Sequence, residues 1–249
     1  MNLLARFSPL VFALFVSGFS LGFAPVKADE LPKDTNKIER LTPEQARKLA
    51  KEFKHPLLYL NGLTALDADT AKALAEFKGE YLQLYGLTTL DADTAKALVG
   101  SKVWNANVPN LTMLDAETAK ALAANPKWNG QLPNLTALDF DTAKALVAAQ
   151  KWDGHLPNLT ALDTPDSVAI AQALATRKGR LALPNLKKIS PKTLSALIEK
   201  EDVEIPLIET LELIQEPDGS VTEDFVIPEW LEERQKQQRR AGQAAEQAK

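Results

Sequence analysis

The phrase Leu-Thr-x-Leu-Asp occurs at 63–67, 87–91, 111–115, 135–139 and 159–163, each copy starting 24 residues after the last. A sixth, degenerate copy, Leu186-Lys-Lys-Ile-Ser190, follows after 27 residues. Behind each phrase comes a helix pattern, Ala-Asp-Thr-Ala-Lys-Ala-Leu at 68–74 and 92–98, with near copies at 116–122 and 140–146. Ahead of it sits a short alternating run: Leu58-Tyr-Leu60, Leu82-Gln-Leu84, then Val108, Leu132 and Leu156 in the same column. One strand and one helix per fixed period predict a repeat array, in which each unit buries its apolar face only against its neighbours.

The helix boundaries follow from punctuation. Asp67, Asp91, Asp115 and Asp139 share one column at the predicted helix start, where a short acceptor satisfies the free amides of the first turn. In Thr42-Pro43-Glu44-Gln45 the Thr caps, the Pro takes the first helical position and the Gln completes a capping box. Ser190-Pro191 repeats the device, and Thr164-Pro165-Asp166 in the longer fifth unit moves the cap along by one. Leu66, Ala71 and Leu74 fall on one inward stripe. Lys72, Lys96, Lys120 and Lys144 fall opposite, three residues after Asp69, Asp93, Glu117 and Asp141. That is a solvated face with local pairing, worth about 0.2–0.5 kcal/mol per pair. The Asp-x-Asp pairs at 67/69 and 91/93 are explained by capping, and no Gly-bearing ligand loop surrounds them. Neither a metal nor a cofactor is expected.

Leu82-Gln-Leu84-Tyr-Gly-Leu87-Thr-Thr-Leu90 followed by a short helix resembles a unit of the leucine-rich repeat proteins, closest to their irregular bacterial types. The resemblance implies an α/β fold: a right-handed solenoid over 41–200, with short parallel strands on one face and short helices on the other. The sequence departs from the family at its buried asparagine, a column filled here by Leu63, Leu87, Leu111, Leu135 and Leu159. A Gly or Asn precedes each: Gly62, Gly86, Asn110, Asn134, Asn158, with Asn185 in the sixth copy. Both types tolerate a left-handed backbone, which predicts a tight turn leaving the strand.

Strand parity sorts the remaining columns. Trp104, Trp128 and Trp152 stand seven residues before the phrase Leu, and a ladder of exposed indoles would suit a sugar. Volume argues for burial instead. Where the column holds Trp, the residue two later is Ala106, Gly130 or Gly154; where it holds Pro56, Glu80 or Gly179, that residue is Leu58, Leu82 or Leu181. Exchanging large for small in one layer is what a close-packed interior requires. The outward columns carry Tyr59, Tyr81, Gln83, Asn105, Asn107, Asn129, Gln131, Asp153 and His155. The resemblance implies the open face of the sheet as the binding surface and these nine residues as its contacts. Amides and tyrosines suit an uncharged polar partner, a protein or peptide first and a glycan second.

Composition narrows the function further. The chain has 249 residues, no Cys and two His, which removes disulfides, thiolate metal sites and cysteine nucleophiles. A net charge of −4 argues against nucleic acid. Residues 1–28 read as a signal peptide, with Arg6 ahead of an apolar run and Val26-Lys27-Ala28 as a cleavage signal. That run is shorter than the roughly 20 residues of a membrane span. An extracytoplasmic protein built without disulfides fits a bacterial envelope, periplasmic or secreted, with no stable span after cleavage. His55 and His155 lie four units apart, or roughly 19 Å at the spacing of stacked strands, too far to share a proton. The expected role is therefore a non-catalytic binding or scaffold module. A glycan-binding adhesin using Tyr59, Tyr81 and Tyr85 is the first alternative, and a hydrolase with carboxylates on the open face the second. The expected organisation is completed by a linker at 29–40, a cap helix at 41–53, a closing hairpin at 201–228 and a polar, disordered or frayed tail at 229–249.

Overall fold

The structure, a computed structural model, describes residues 31–220 and 226–247. The expected signal peptide at 1–28 lies outside the described residues. Within them the fold is mixed α/β, with eight α-helices and short strands that pair in parallel in three small open sheets.

The same carboxylate opens four helices in succession: α2 (Ala68–Ala75), α3 (Ala92–Val99), α4 (Ala116–Ala124) and α5 (Phe140–Ala148). Asp67, Asp91, Asp115 and Asp139 accept from the backbone N–H of Thr70, Thr94, Thr118 and Thr142 at 2.6–2.8 Å. For Asp67 that backbone bond, before any other influence, holds the carboxyl below its ordinary pKa. The threonines are fully buried, and a buried hydroxyl needs a partner. Thr94, Thr118 and Thr142 find one in the preceding unit, donating Oγ1 to the carbonyls of Leu66, Leu90 and Leu114 at 3.2–3.4 Å. Each cap therefore lies beside a stitch to the unit before. Asp115→Ala should cost about 1 kcal/mol, read as a drop in the urea midpoint. Asp91→Ala should cost the same, and very unequal losses would break the equivalence of the units.

The outer helices hold two variations. Helix α1 (Pro43–Glu52) has the expected capping box between Thr42 and Gln45, and Ser190 caps α7 (Pro191–Ile198). Helix α6 differs from expectation. It runs Ser167–Ala175, and Thr164 does not cap a helix at Pro165. Instead Ser167 Oγ lies 2.8 Å from the Thr164 N–H, which it accepts, and the Ser167 N–H returns to the Thr164 carbonyl. The extra residues are absorbed as a turn. In chain order each of α1 to α7 packs on the next. On the outer face Lys72 pairs with Asp69 at 3.2 Å and Lys120 with Glu117 at 2.7 Å, while Lys96 reaches across units to Glu117 at 3.9 Å.

The strands form two columns. In the first, β1 (Leu57–Tyr59) pairs with β2 (Tyr81–Gln83), Leu57 opposite Tyr81, so the register is the 24-residue period. Further along, β4 (Leu181–Ala182) pairs with β6 (Val203–Glu204). In the second column β3 (Ala161–Leu162), β5 (Lys188–Ile189) and β7 (Glu212–Leu213) pair in order. The first column is interrupted between β2 and β4, carried there by isolated bridges from Leu82 to Trp104 and from His155 to Ala182 and by the Asp153 N–H on the Gly130 carbonyl at 3.2 Å. The reason lies in three left-handed residues, Ala106 at φ 57°, Gly130 at 78° and Gly154 at 75°, which depart from strand geometry. Beside them Trp104, Trp128 and Trp152 are 0, 2 and 1 % exposed, so the indoles fill the core.

The Gly/Asn column does not turn left-handed as its residue types suggest, and closeness explains it instead. A Cβ on Gly62 would sit 2.4 Å from the Asn36 carbonyl, and one on Gly86 2.0 Å from that of Asn61. Where Asn replaces Gly, its amide reaches back. Asn110, Asn134, Asn158 and Asn185 donate to the carbonyls of Tyr85, Pro109, Pro133 and Pro157 at 2.9–3.0 Å.

Both ends differ from the sequence reading. The linker is packed: a 3₁₀ turn at Thr35–Lys37 places Thr35 Oγ1 on the Tyr59 carbonyl at 2.6 Å, and Ile38 is buried. It closes the edge beside β1. In the region of the expected hairpin at 201–228, β6 and β7 each pair in parallel with an earlier strand. A 3₁₀ turn at Ile208–Thr210 lies between these two strands. The expected return strand falls largely on residues 221–225, outside the described set. The tail is the helix α8 (Glu229–Gln247), whose first turns dock. Leu231 is buried, Gln235 brackets Ile208 N and Pro206 O, and Arg234 donates to the carbonyls of Val203 and Glu201. Polar side chains make most of this anchorage, which is why apolar periodicity does not reveal it.

Candidate functional site

The nine outward residues fall where strand parity places them. Tyr59, Tyr81, Gln83, Asn105 and Asn107 are half-buried, and Asn129, Gln131, Asp153 and His155 are exposed. They do not act as nine equal contacts.

Part of this chemistry serves the backbone. Asn105 Oδ1 accepts from Asn107 N at 3.1 Å, Asn129 Oδ1 from Gln131 N at 3.1 Å, and Asp153 Oδ1 from His155 N at 2.9 Å. These are Asx turns, a side-chain acceptor closing over the residue between. The bracketed residue is in each case the left-handed one, Ala106, Gly130 or Gly154. The first outward column holds Asn or Asp for that reason, a signal legible in Asn-Gly-Gln and Asp-Gly-His.

The amino-terminal half is different. The Tyr59 and Tyr81 rings meet edge to face, centroids 6.4 Å apart. Asn105 Nδ2 donates to the Tyr81 hydroxyl at 2.7 Å, and that hydroxyl lies 3.1 Å from the Tyr85 hydroxyl. The Asn105 amide, the Tyr81 hydroxyl and the Tyr85 hydroxyl thus form one chain of hydrogen bonds. Burial first, then the bond to Tyr85, pushes Tyr81 up to about 12. The bond with Tyr81 is the largest influence lowering Tyr85.

Tyr85 opens onto a cavity of about 140 Å³, lined also by Asn107, Val108, Pro109, Asn129 and Gln131. Asn107 Oδ1 is closed off from solvent and has no hydrogen-bond partner among the described residues. Tyr85 and Pro109 are lining residues that outward parity alone misses, because the turn after the strand contributes them, while Val108 belongs to the inward strand column and is almost wholly buried. A more open groove of about 650 Å³ lies at the helix-to-strand turns of the first two units, between Phe53, His55 and Phe77 and charges of both signs from Lys51 to Glu80.

Among the described residues no helix is long and apolar enough to cross a membrane, and no group of three or more His, Asp or Glu is placed to hold a metal ion. No family model matches the chain, and no curated protein or solved structure is significantly similar to it.

Proposed function

We propose that the chain is a right-handed solenoid of the leucine-rich repeat kind. In this reading it acts outside the cytoplasm of a bacterium as a non-catalytic binding or scaffold module, engaging a protein or peptide partner through its outward strand face. The reading is supported by parallel pairing at the repeat period and by helices that pack each on the next in chain order. The observation that carries it is the row of half-buried uncharged groups, Tyr59, Tyr81, Gln83, Asn105 and Asn107, on adjacent units. Such groups recognise by directed hydrogen bonds and ring contact at little desolvation cost.

A peptide array probed with the protein tests this. Saturable binding should weaken roughly tenfold in Gln83→Ala, whose thermal midpoint should stay put because the side chain supports no other residue. Binding indifferent to every open-face substitution moves the site elsewhere, and turnover of an array member makes the protein an enzyme. A second reading, glycan binding, is favoured by one specific feature, the small cavity beside Tyr85.

A further inference from the structure

We propose that the lysines at the helix-to-strand turns form a track for a linear acidic polysaccharide, on an edge of the array separate from the outward strand face. The inference goes beyond the reading above and does not depend on it.

Each turn places one lysine eight or nine residues before the phrase Leu: Lys54, Lys78, Lys102, Lys127, Lys151 and Lys178. All six are exposed. Bonds run from turn to turn. The Glu80 N–H donates to the Pro56 carbonyl at 2.7 Å and the Leu82 N–H to the Val103 carbonyl at 3.1 Å. Lys127 Nζ and Lys151 Nζ donate to the carbonyls of Lys102 and Pro126, and Arg177 to that of Trp152. The six therefore stand in one row, advancing about 4.8 Å per unit where strands pair. That is roughly the length of one pyranose in an extended chain.

Their charge is not spent locally. On the helix face Lys72, Lys96 and Lys120 pair with carboxylates. None of the six turn lysines does so among the described residues. Segments 101–110 and 125–134 hold no Asp or Glu, and Asp153 is turned to the His155 N–H. The carbonyl bonds of Lys127 and Lys151 fix their amino groups without neutralising them and leave donors over, which lowers the ordering cost of binding. With a net charge of −4 the chain does not draw a polyanion by its total charge, so the attraction of this edge is local.

The groove of about 650 Å³ at the amino-terminal end of the row selects a sugar acid among polyanions. It is lined by Lys54 and Lys78, by the exposed Glu76 and Glu80, and by Phe53 and His55, whose rings lie 6.4 Å apart. A uronic acid brings the matching set: a carboxylate for the lysines, hydroxyls that donate to the glutamates, and an apolar ring face for the aromatic pair. Polyphosphate offers neither hydroxyl nor apolar face, and the glutamates repel it. Single-stranded nucleic acid needs exposed rings on which its bases stack, and Trp128 and Trp152, next in sequence to Lys127 and Lys151, are buried.

Calorimetric titration with oligogalacturonate, its methyl ester and polyphosphate of equal chain length tests the proposal. The ester keeps the sugar and removes the charge, so this comparison needs no variant to fold. Oligogalacturonate should bind at least roughly tenfold more tightly than the ester or polyphosphate. The combined variant Lys78→Gln, Lys102→Gln and Lys178→Gln changes amino groups that bond to no described residue. It should bind oligogalacturonate at least roughly tenfold more weakly than the parent. Lys72→Gln, Lys96→Gln and Lys120→Gln together remove the same charge from the helix face and should leave binding unchanged. Gln83→Ala should also leave it unchanged, which keeps failure of this site distinct from failure of the open-face reading. Absence of binding, equal binding of the ester, polyphosphate bound as tightly, or equal losses in the two triple variants each overturn the proposal.

Discussion

Trp128→Ala should lower the free energy of unfolding by about 3–5 kcal/mol, a large part of what a domain of this size possesses. The indole is 2 % exposed, and its neighbours in the column, Trp104 and Trp152, are equally enclosed. Truncation leaves a cavity in the middle of the array. The surrounding backbone has little freedom to collapse into it, because Gly130 is already in contact with the next unit. Packing alone holds the ring: the Nε1 groups of all three indoles are buried without a hydrogen-bond partner among the described residues. Trp128→Phe should therefore lose much less than Trp128→Ala, since it keeps an aromatic ring and removes an unsatisfied donor. Urea unfolding followed by circular dichroism reads both. An alanine variant that melts like the parent but no longer binds a ligand would mean that the indoles form an exposed platform after all.

That contrast shows what kind of information the sequence carried. The columns were legible because repetition turns one ambiguous unit into several aligned ones. Asp67, Asp91, Asp115 and Asp139 cap as a set, and the appearance of Trp in one column wherever Ala or Gly replaces Leu two residues later identifies a single buried layer. Backbone state was harder to read. Gly and Asn share a tolerance for positive φ, so the column from Gly62 to Asn185 suggested a left-handed turn. The actual causes, a carbonyl pressed against Gly86 and an amide reaching back from Asn110, depend on the neighbouring unit and leave no local mark. The tail was illegible for a related reason. Arg234 and Gln235 anchor α8 through carbonyls of residues 201–206, and a polar residue bonded to backbone looks in sequence like one bonded to water. At the candidate site the outward residues were placed by parity, while the cavity was not. It is made by Tyr85 and Pro109 from the turn column together with Asn107 and Val108 from the strand column, and no periodicity joins those two sets.

Gly130→Ala should be the most damaging Gly→Ala change among the described glycines, costing about 3 kcal/mol or more. Two effects combine. At φ 78° any side chain carries left-handed strain of roughly 1–2 kcal/mol. The added Cβ would also stand 1.7 Å from the Lys151 carbonyl oxygen and 2.5 Å from its carbon, so the two units must part. Overpacking of that kind adds roughly 1–3 kcal/mol. The molecule supplies its own control in Gly219, at φ 74° with nothing within 4 Å of where a methyl would stand, so that Ala there should cost only the strain. Ala106, at φ 57° in the same column as Gly130 and fully buried, shows that the left-handed backbone itself accepts a Cβ at this level of the repeat. The difference between Gly130→Ala and Gly219→Ala in denaturant midpoint therefore measures how closely one 24-residue unit lies on the next. Equal losses at the two glycines would remove the contact between residues 130 and 151, and with it the register on which every column in the array depends.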